Sequence, residues 1–383
     1  MAERYLVSSG DIEVAARWNG STLPAVGDDL YANGFTGTIS ASRTALSWRT
    51  TAGTIAVAGG GFTCNVAGTA IGGNIIAGTT IPLALSNATG TITLTGNVTA
   101  STTNAVATVT KSGAGSLAHV GNSTGGSGGT NSIAIQVAAG IFSGTGTYTS
   151  GSSLNSWGLQ LVAANTTNTI VGDAIGGSST SAAGVLVGTT NITLAITGNC
   201  TGSTCFGLQV TGAGSIVTIS GDVTGGAGVS APGVIMSVAG TVTVGGNAIG
   251  GTSATITATC FGAYNTGSGT LTVNGYAIGA PSGGVAAGVF GSIGGTTRVG
   301  SVRSSTTGVS GIAGKVFLSN LTTGTLQGVN SALTVKTFYP TDFSGLLPAV
   351  GDVRSGTVYN LTNSTGTLVS GRPSLPFTQQ VIG

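Results

Sequence analysis

Val217-Thr218-Ile219-Ser220-Gly221-Asp222-Val223-Thr224-Gly225-Gly226 is answered further along the chain by Val242-Thr243-Val244-Gly245-Gly246-Asn247-Ala248-Ile249-Gly250-Gly251. Both stretches have the same plan. Aliphatic and small polar residues alternate; then come glycine, Asn or Asp, a small apolar residue and a glycine pair. Period-2 alternation with β-branched side chains marks a short strand with one buried face. The unit recurs as TITLTGNVTAS, LAHVGNSTGG, TIVGDAIGG, ITLAITGNCTGS and LTVNGYAIGA. Its marker glycine falls at Gly68, Gly96, Gly121, Gly146, Gly172, Gly198, Gly221, Gly246, Gly275 and Gly300, in steps of 28, 25, 25, 26, 26, 23, 25, 29 and 25, and Gly328 is a candidate continuation. A second series interleaves with it: Ala134, Gly158, Gly184, Gly207, Gly233, Gly262, Gly288 and Gly314, in steps of 24, 26, 23, 26, 29, 26 and 26. The two series slide together where the spacing changes.

A fixed period of this length is the signature of a solenoid. Two or three short strands plus turns complete one coil, and each strand then pairs with its equivalent about 4.8 Å away. Residues 55–330 are therefore expected to form an all-β, right-handed parallel β-helix of about ten coils; the constant period favours this over a globular β-sandwich. Residues 1–54 read as a cap or attachment module, and 331–383 as a C-terminal β module or tail. Ile92 and Leu94, Val217 and Ile219, and Val242 and Val244 are predicted to point inward, with Thr and Ser outward. Asn97, Asn122, Asp173, Asn199, Asp222 and Asn247 all follow a marker glycine and predict a ladder at one turn. Such side chains bond backbone groups locally and tolerate the left-handed region.

Charge sharpens this reading. Between Thr50 and Thr297 only Lys111, Asp173 and Asp222 are charged; the other seventeen charges lie in the first fifty or last eighty-six residues. A globular domain is about a quarter charged throughout. The net charge of +2 gives no basic patch for nucleic acid. No apolar run approaches the roughly 20 residues of a membrane helix. The opening Met-Ala-Glu-Arg-Tyr-Leu lacks the pattern of a secretory signal, so export by that route is not expected. Seventy glycines with eight prolines and no three-residue period exclude collagen, and abundant aliphatic residues argue against disorder.

A solenoid exposes strand edges at its ends and needs caps. The first fifty residues hold Trp18, Trp48 and nine charges; 315–383 lack the repeat and hold four of the eight prolines. The ends share a phrase, Leu23-Pro24-Ala25-Val26-Gly27-Asp28 and Leu347-Pro348-Ala349-Val350-Gly351-Asp352. Trp18-Asn19-Gly20 followed by LPAVGDDLYANGFTGTIS resembles the opening segment of β-helical proteins of tailed phages and bacterial surfaces. DVRSGTVYNLTNSTGTL near the C-terminus resembles a module of phage structural proteins. The resemblance covers the two ends directly and the repeat region only by style. It implies a structural protein of a virion or surface.

Few side chains could carry chemistry. Asp173 and Asp222 share a coil position two rungs apart, roughly 9.6 Å, at the edge of the spacing for an inverting glycosidase. The ladder explains them together with Asn199 between them, and Lys111 lies several rungs away, so no catalytic residue is assigned. His119 interrupts an alternating strand and reads as a surface or wall residue, not a metal ligand. Gly176-Gly177, Gly225-Gly226 and Gly250-Gly251 lack the GK[ST] of a phosphate loop. No calcium-binding glycine repeat occurs. Cys64, Cys200, Cys205 and Cys260 read as small buried hydrophobes, with a Cys200–Cys205 bridge as the alternative. The tryptophans read as packing anchors rather than sugar platforms. The sequons at Asn87, Asn97, Asn191 and Asn320 follow from abundant Asn and Thr. No cofactor or metal is expected.

The leading expectation is a non-enzymatic virion structural protein: a fibre, spike or capsid decoration. It would associate as a homotrimer through uncharged faces and meet other virion proteins through its charged termini, with a host surface glycan as a further candidate partner. Production in the host cytoplasm needs no signal. The alternatives are an ice- or surface-binding solenoid and a polysaccharide depolymerase.

Overall fold

The computed structural model describes residues 2–50, 61–76, 83–99, 107–125, 132–151, 156–177, 183–228, 230–252, 260–279, 288–291 and 295–303, of 290, 291 and 301–303 the backbone alone, and the backbone of five short strands beyond 314. The chain is a parallel β-solenoid. Each coil visits three faces. A five-residue strand such as Thr91–Thr95 forms a broad face, a two-residue strand such as Val98–Thr99 a narrow face, and a strand such as Val109–Ser112 a back face. Each pairs in parallel with its equivalent in the next coil: Thr91 with Ser116, Val98 with Ser123 and Val109 with Ile135. Broad and narrow strands merge into a 21-stranded sheet because some strands, Thr270–Ile278 among them, run through the corner; the back face is a 12-stranded sheet. Ten successive back strands from Gly61–Cys64 to Val289–Gly291 make nine full turns, a rise of roughly 43 Å at about 4.8 Å per turn.

The core follows the alternation. Ile92, Leu94, Val217, Ile219, Val242 and Val244 are each wholly buried. On the back face Leu159, Val185, Leu208 and Val234 stack in register, each contributing about 1.5–3 kcal/mol by leaving water. The second glycine series also falls in one column: Leu159 donates its N–H to Gly184 O, Leu208 to Gly233 O and Val234 to Gly262 O.

The first marker glycine is corrected by the pairing. Ile71 pairs with Leu94 and Gly72 with Thr95, so Gly73, not Gly68, lies beneath Gly96. The first step is then shorter than the sequence series implies, and Asn74 follows the marker. Gly68 belongs to the preceding corner, where its N–H meets Thr91 O. At the marker corner Gly96, Gly121, Gly146, Gly172 and Gly198 have φ between +131° and +154°, a region nearly closed to other residues. From Gly221 onward the corner leaves that region, yet close approach still requires glycine: a Cβ on Gly246 would run into Asp222 Oδ1. Gly328 does not continue the series, since Gln327–Val329 pairs antiparallel with Val335–Thr337. Gly314 and the second phrase copy, Leu347 to Asp352, lie outside the described residues.

Rungs also run through the first fifty residues. Glu3–Tyr5 pairs with Asp29–Tyr31, which pairs with Ser47–Arg49, which pairs with Asn74–Ile76. The end is closed by two short 3-10 turns, Ala15–Arg17 and Asn19–Ser21. Trp18 and Trp48 are buried there. Trp18 stacks on Phe62 and Trp48 meets the same ring edge-on, at 6.5 and 5.1 Å between centroids. Asn19 imitates a neighbouring strand: its Oδ1 accepts the N–H of Tyr5 at 2.9 Å and its Nδ2 donates to Glu3 O at 3.5 Å.

Candidate functional surfaces: the ladder and the threonine face

The residue after each marker glycine projects from the corner between the broad and narrow faces. Its side-chain oxygen accepts the backbone N–H of the equivalent residue one coil on. Asn74 thus serves Asn97 at 3.1 Å, Asn97 serves Asn122 at 3.0 Å, and Asn122 serves Thr147 at 2.9 Å. The series restarts at Asp173, which serves Asn199 at 2.8 Å; Asn199 serves Asp222 at 2.9 Å, Asp222 serves Asn247 at 2.7 Å, and Asn247 serves Tyr276 at 2.9 Å. The expected ladder is therefore present, but its bonds are not local. Each one crosses between coils, because the sharp corner aims the N–H of one rung at the side chain beneath it.

This geometry defines what the two shaft carboxylates do. Asp173 Oδ1 accepts both the backbone N–H and the side-chain Nδ2 of Asn199, and Asp222 Oδ1 does the same for Asn247. Asn199 stands between the acids, bonded to Asp173 on one side and to the Asp222 N–H on the other. Both acids are half-buried and serve as acceptors in a row where the other accepting side chains, Asn74, Asn97, Asn122, Asn199 and Asn247, are amides.

Lys111 occupies an inward position between Leu85 and Val137. It is wholly buried, and Nζ donates to Ser112 O, Gly113 O and Ala139 O at 2.6, 2.8 and 3.4 Å. Burial holds this ammonium below the usual lysine range. Other coils close this corner with amides: in the adjacent coil Asn87 Nδ2 donates to Gly90 O at 2.8 Å, and six coils beyond Lys111 Asn265 Nδ2 donates to Gly269 O at 3.1 Å. The lysine is thus one of a set of donors that satisfy turn carbonyls, which sequence alone does not reveal. His119 is not a surface residue: it is 1 % exposed in the core. All four cysteines are free and buried, so the Cys200–Cys205 bridge is absent. Burial, aided by Asp173, pushes the Cys200 thiol up to about 12. Among the described residues no three His, Cys, Asp or Glu side chains gather as metal ligands, and no helix is long and apolar enough to cross a membrane.

The charges of the first fifty residues are engaged within the end of the rod. Arg4 pairs with Asp28 at 3.3 Å, Arg49 with Asp29 at 3.6 Å, and Arg43 with Glu13. Asp28 also accepts the N–H groups of Ala25 and Ala2, each at 2.9 Å. The Ala25 bond is the main cause that holds its carboxyl below the ordinary range. The phrase Leu23 to Asp28 is therefore a turn closed by its own aspartate.

The broad face presents three outward columns of short side chains. The central column reads Thr93, Ala118, Ser143, Thr169, Ala195, Thr218, Thr243 and Thr272 in register. Flanking positions are mainly Thr and Ser, with Ile141, Val120, Val171 and Ile216 as exposed aliphatic members. Hydroxyls therefore repeat at about 4.8 Å along the rod and roughly 6.7 Å along each strand. No charged residue enters these columns before Arg298. Comparison with family models, curated proteins and solved structures finds no match for this chain.

Proposed function

We propose that the chain is a non-catalytic structural rod of a virion surface: a fibre, spike or capsid decoration. The observation that carries this reading is the ladder, in which the only carboxylates of the shaft, Asp173 and Asp222, act as backbone acceptors interchangeable with asparagine. The phrases at the two chain ends, which resemble those of phage structural proteins, support the virion setting. The uncharged shaft faces suit side-by-side packing of copies as a homotrimer, while the charged end suits contact with a different partner. Assay of the purified protein on host surface polysaccharide tests the non-catalytic part. No release of reducing ends or unsaturated sugars is expected, and release abolished by Asp173→Asn or Asp222→Asn would contradict it.

A second reading rests on the broad face. A flat, uncharged lattice of hydroxyls and methyls matches a surface that is itself periodic, such as ice. Inhibition of ice recrystallisation, lost on replacing Thr169 by Lys at the centre of the face, would favour this reading over the structural rod.

A further inference from the structure

His119 and Tyr148 form a buried polar pair in the core, with Phe142 packed edge-on against the phenol at 5.8 Å between centroids. His119 occupies the inward column that carries Leu94 in the coil before it and Gly144 in the coil after. Tyr148 starts from the narrow face, where Ser123 is its neighbour one coil earlier. A methyl group on Gly144 would collide with Tyr148 Oη, so the missing side chain is the slot through which the phenol reaches the imidazole. His119 Nδ1 lies 3.0 Å from Tyr148 Oη, and Nε2 lies 2.9 Å from Gly96 O. A carbonyl only accepts, so Nε2 carries the proton, Nδ1 is the acceptor and Tyr148 O–H donates to it. The pair thus ties together three successive coils, through Gly96, His119 and Tyr148.

This arrangement has no place for a second imidazole proton. Protonated Nδ1 would force Tyr148 to turn its hydroxyl hydrogen away from the imidazole and would place a charge in a site that is 1 % exposed. The strands around the pair are Leu83–Ser86, Thr91–Thr95, Val109–Ser112, Ser116–Val120, Ser123–Thr124, Ile135–Val137, Ile141–Thr145 and Tyr148–Thr149. They carry no carboxylate, and their one charged side chain, Lys111, is a cation. Val98–Thr99 and, in the next coil, Thr167–Val171 and Ala174–Ile175 also pair with them and are uncharged. At the corner Asp173 accepts the Tyr148 N–H through its backbone O at 2.8 Å and turns its carboxylate to Asn199. Burial accordingly holds His119 below its ordinary 6.5 and raises the Tyr148 phenol.

We infer that this pair is an acid-labile joint in the shaft, where protonation of His119 uncouples the coils between residues 91 and 149 before the rest of the rod loosens. Because a solenoid is held by neighbour-to-neighbour contacts, a local break divides it. The sign follows from a depressed folded-state value: the stabilisation is complete above the unfolded value of 6.5 and is lost as pH falls below it. Each pH unit shifts the local folding equilibrium by about tenfold until the folded-state value is reached.

Amide hydrogen exchange of the full chain at about pH 7.5 and about pH 5, corrected for intrinsic exchange rates, tests the joint. Protection should fall by up to about 30-fold in 91–99, 107–124 and 141–149 and stay level in 208–228 and 230–249. In His119→Gln, whose amide can meet both Gly96 O and Tyr148 Oη without titrating, the acid-dependent loss should vanish. An unchanged acid loss in the variant overturns the inference. So does a wild-type loss spread evenly along the rod, or none at all, and these wild-type outcomes decide even if the variant does not fold.

Discussion

Asn97 Oδ1 accepts the backbone N–H of Asn122, one coil on, at 3.0 Å. The bond closes the gap between two rungs where the chain turns too sharply for the sheet ladder to do so. An exposed backbone–amide bond of this kind contributes about 0.5–1.5 kcal/mol.

Asn97→Ala should therefore lower stability by about 1 kcal/mol, since water replaces the lost acceptor in part. Asp173→Asn and Asp222→Asn should change it by less than about 0.5 kcal/mol, because Asn keeps the accepting oxygen. Thermal unfolding checks both. A penalty for the Asn variants larger than for Asn97→Ala would mean that the carboxylate charge has a separate role.

The corrected register makes a paired prediction. Gly73 has φ +116°, and a Cβ there would strike Ala45 O; Gly73→Ala should destabilise by about 3 kcal/mol or more. Gly68 has φ +80° with nothing within 4 Å of a Cβ, so Gly68→Ala should cost only about 1 kcal/mol. Denaturant midpoints of the two variants decide which glycine lies in the column.

How legible the molecule is in its sequence depends on distance along the chain. Gly121-Asn122 and Gly221-Asp222 announce the corner because every coil restates it. Gly68 misleads because the coil below is irregular: the register shifts between Thr44 and Ser47 opposite Gly72 to Asn74, and a bulge of this kind leaves no periodic trace. The first fifty residues look unlike rungs because the step from Leu30 to its partner Trp48 is much shorter than the shaft period. His119 reads as a misplaced polar residue because its partner, Tyr148, stands more than a full coil away in sequence, and the recurring phrase around His119 says nothing of what its inward side chain meets. Lys111 is hidden for a different reason: its three acceptors are backbone carbonyls, which no residue type announces.

The end of the rod should respond to acid separately from the shaft. Asp11 and Asp28 are held below 3.8, chiefly by the N–H of Glu13 and of Ala25 respectively. Their contribution is complete above that value and is lost as pH falls beneath it. Tryptophan emission, dominated at this end by Trp18 and Trp48, should therefore change in a step below about pH 4 that Asp28→Asn weakens. Emission that changes only together with the shaft would show the end to be one cooperative unit with it.

Removing residues 1–50 strips the rungs that pair with Gly61–Cys64 and Asn74–Ile76 and leaves Phe62 without its tryptophan neighbours. Exposed strand edges template aggregation. The truncated chain should elute as large aggregates in size-exclusion chromatography; a soluble, monodisperse product would mean that the later coils close their own end.

Whether this rod is a structural part of a virion is tested most directly by electron microscopy of particles from the host that expresses the chain, labelled with polyclonal antibody raised against the whole purified protein. Label is predicted on slender rods at the particle surface, grouped in threes and held by one end. Unlabelled particles, with all of the protein recovered free as 36.6 kDa monomers, would contradict it.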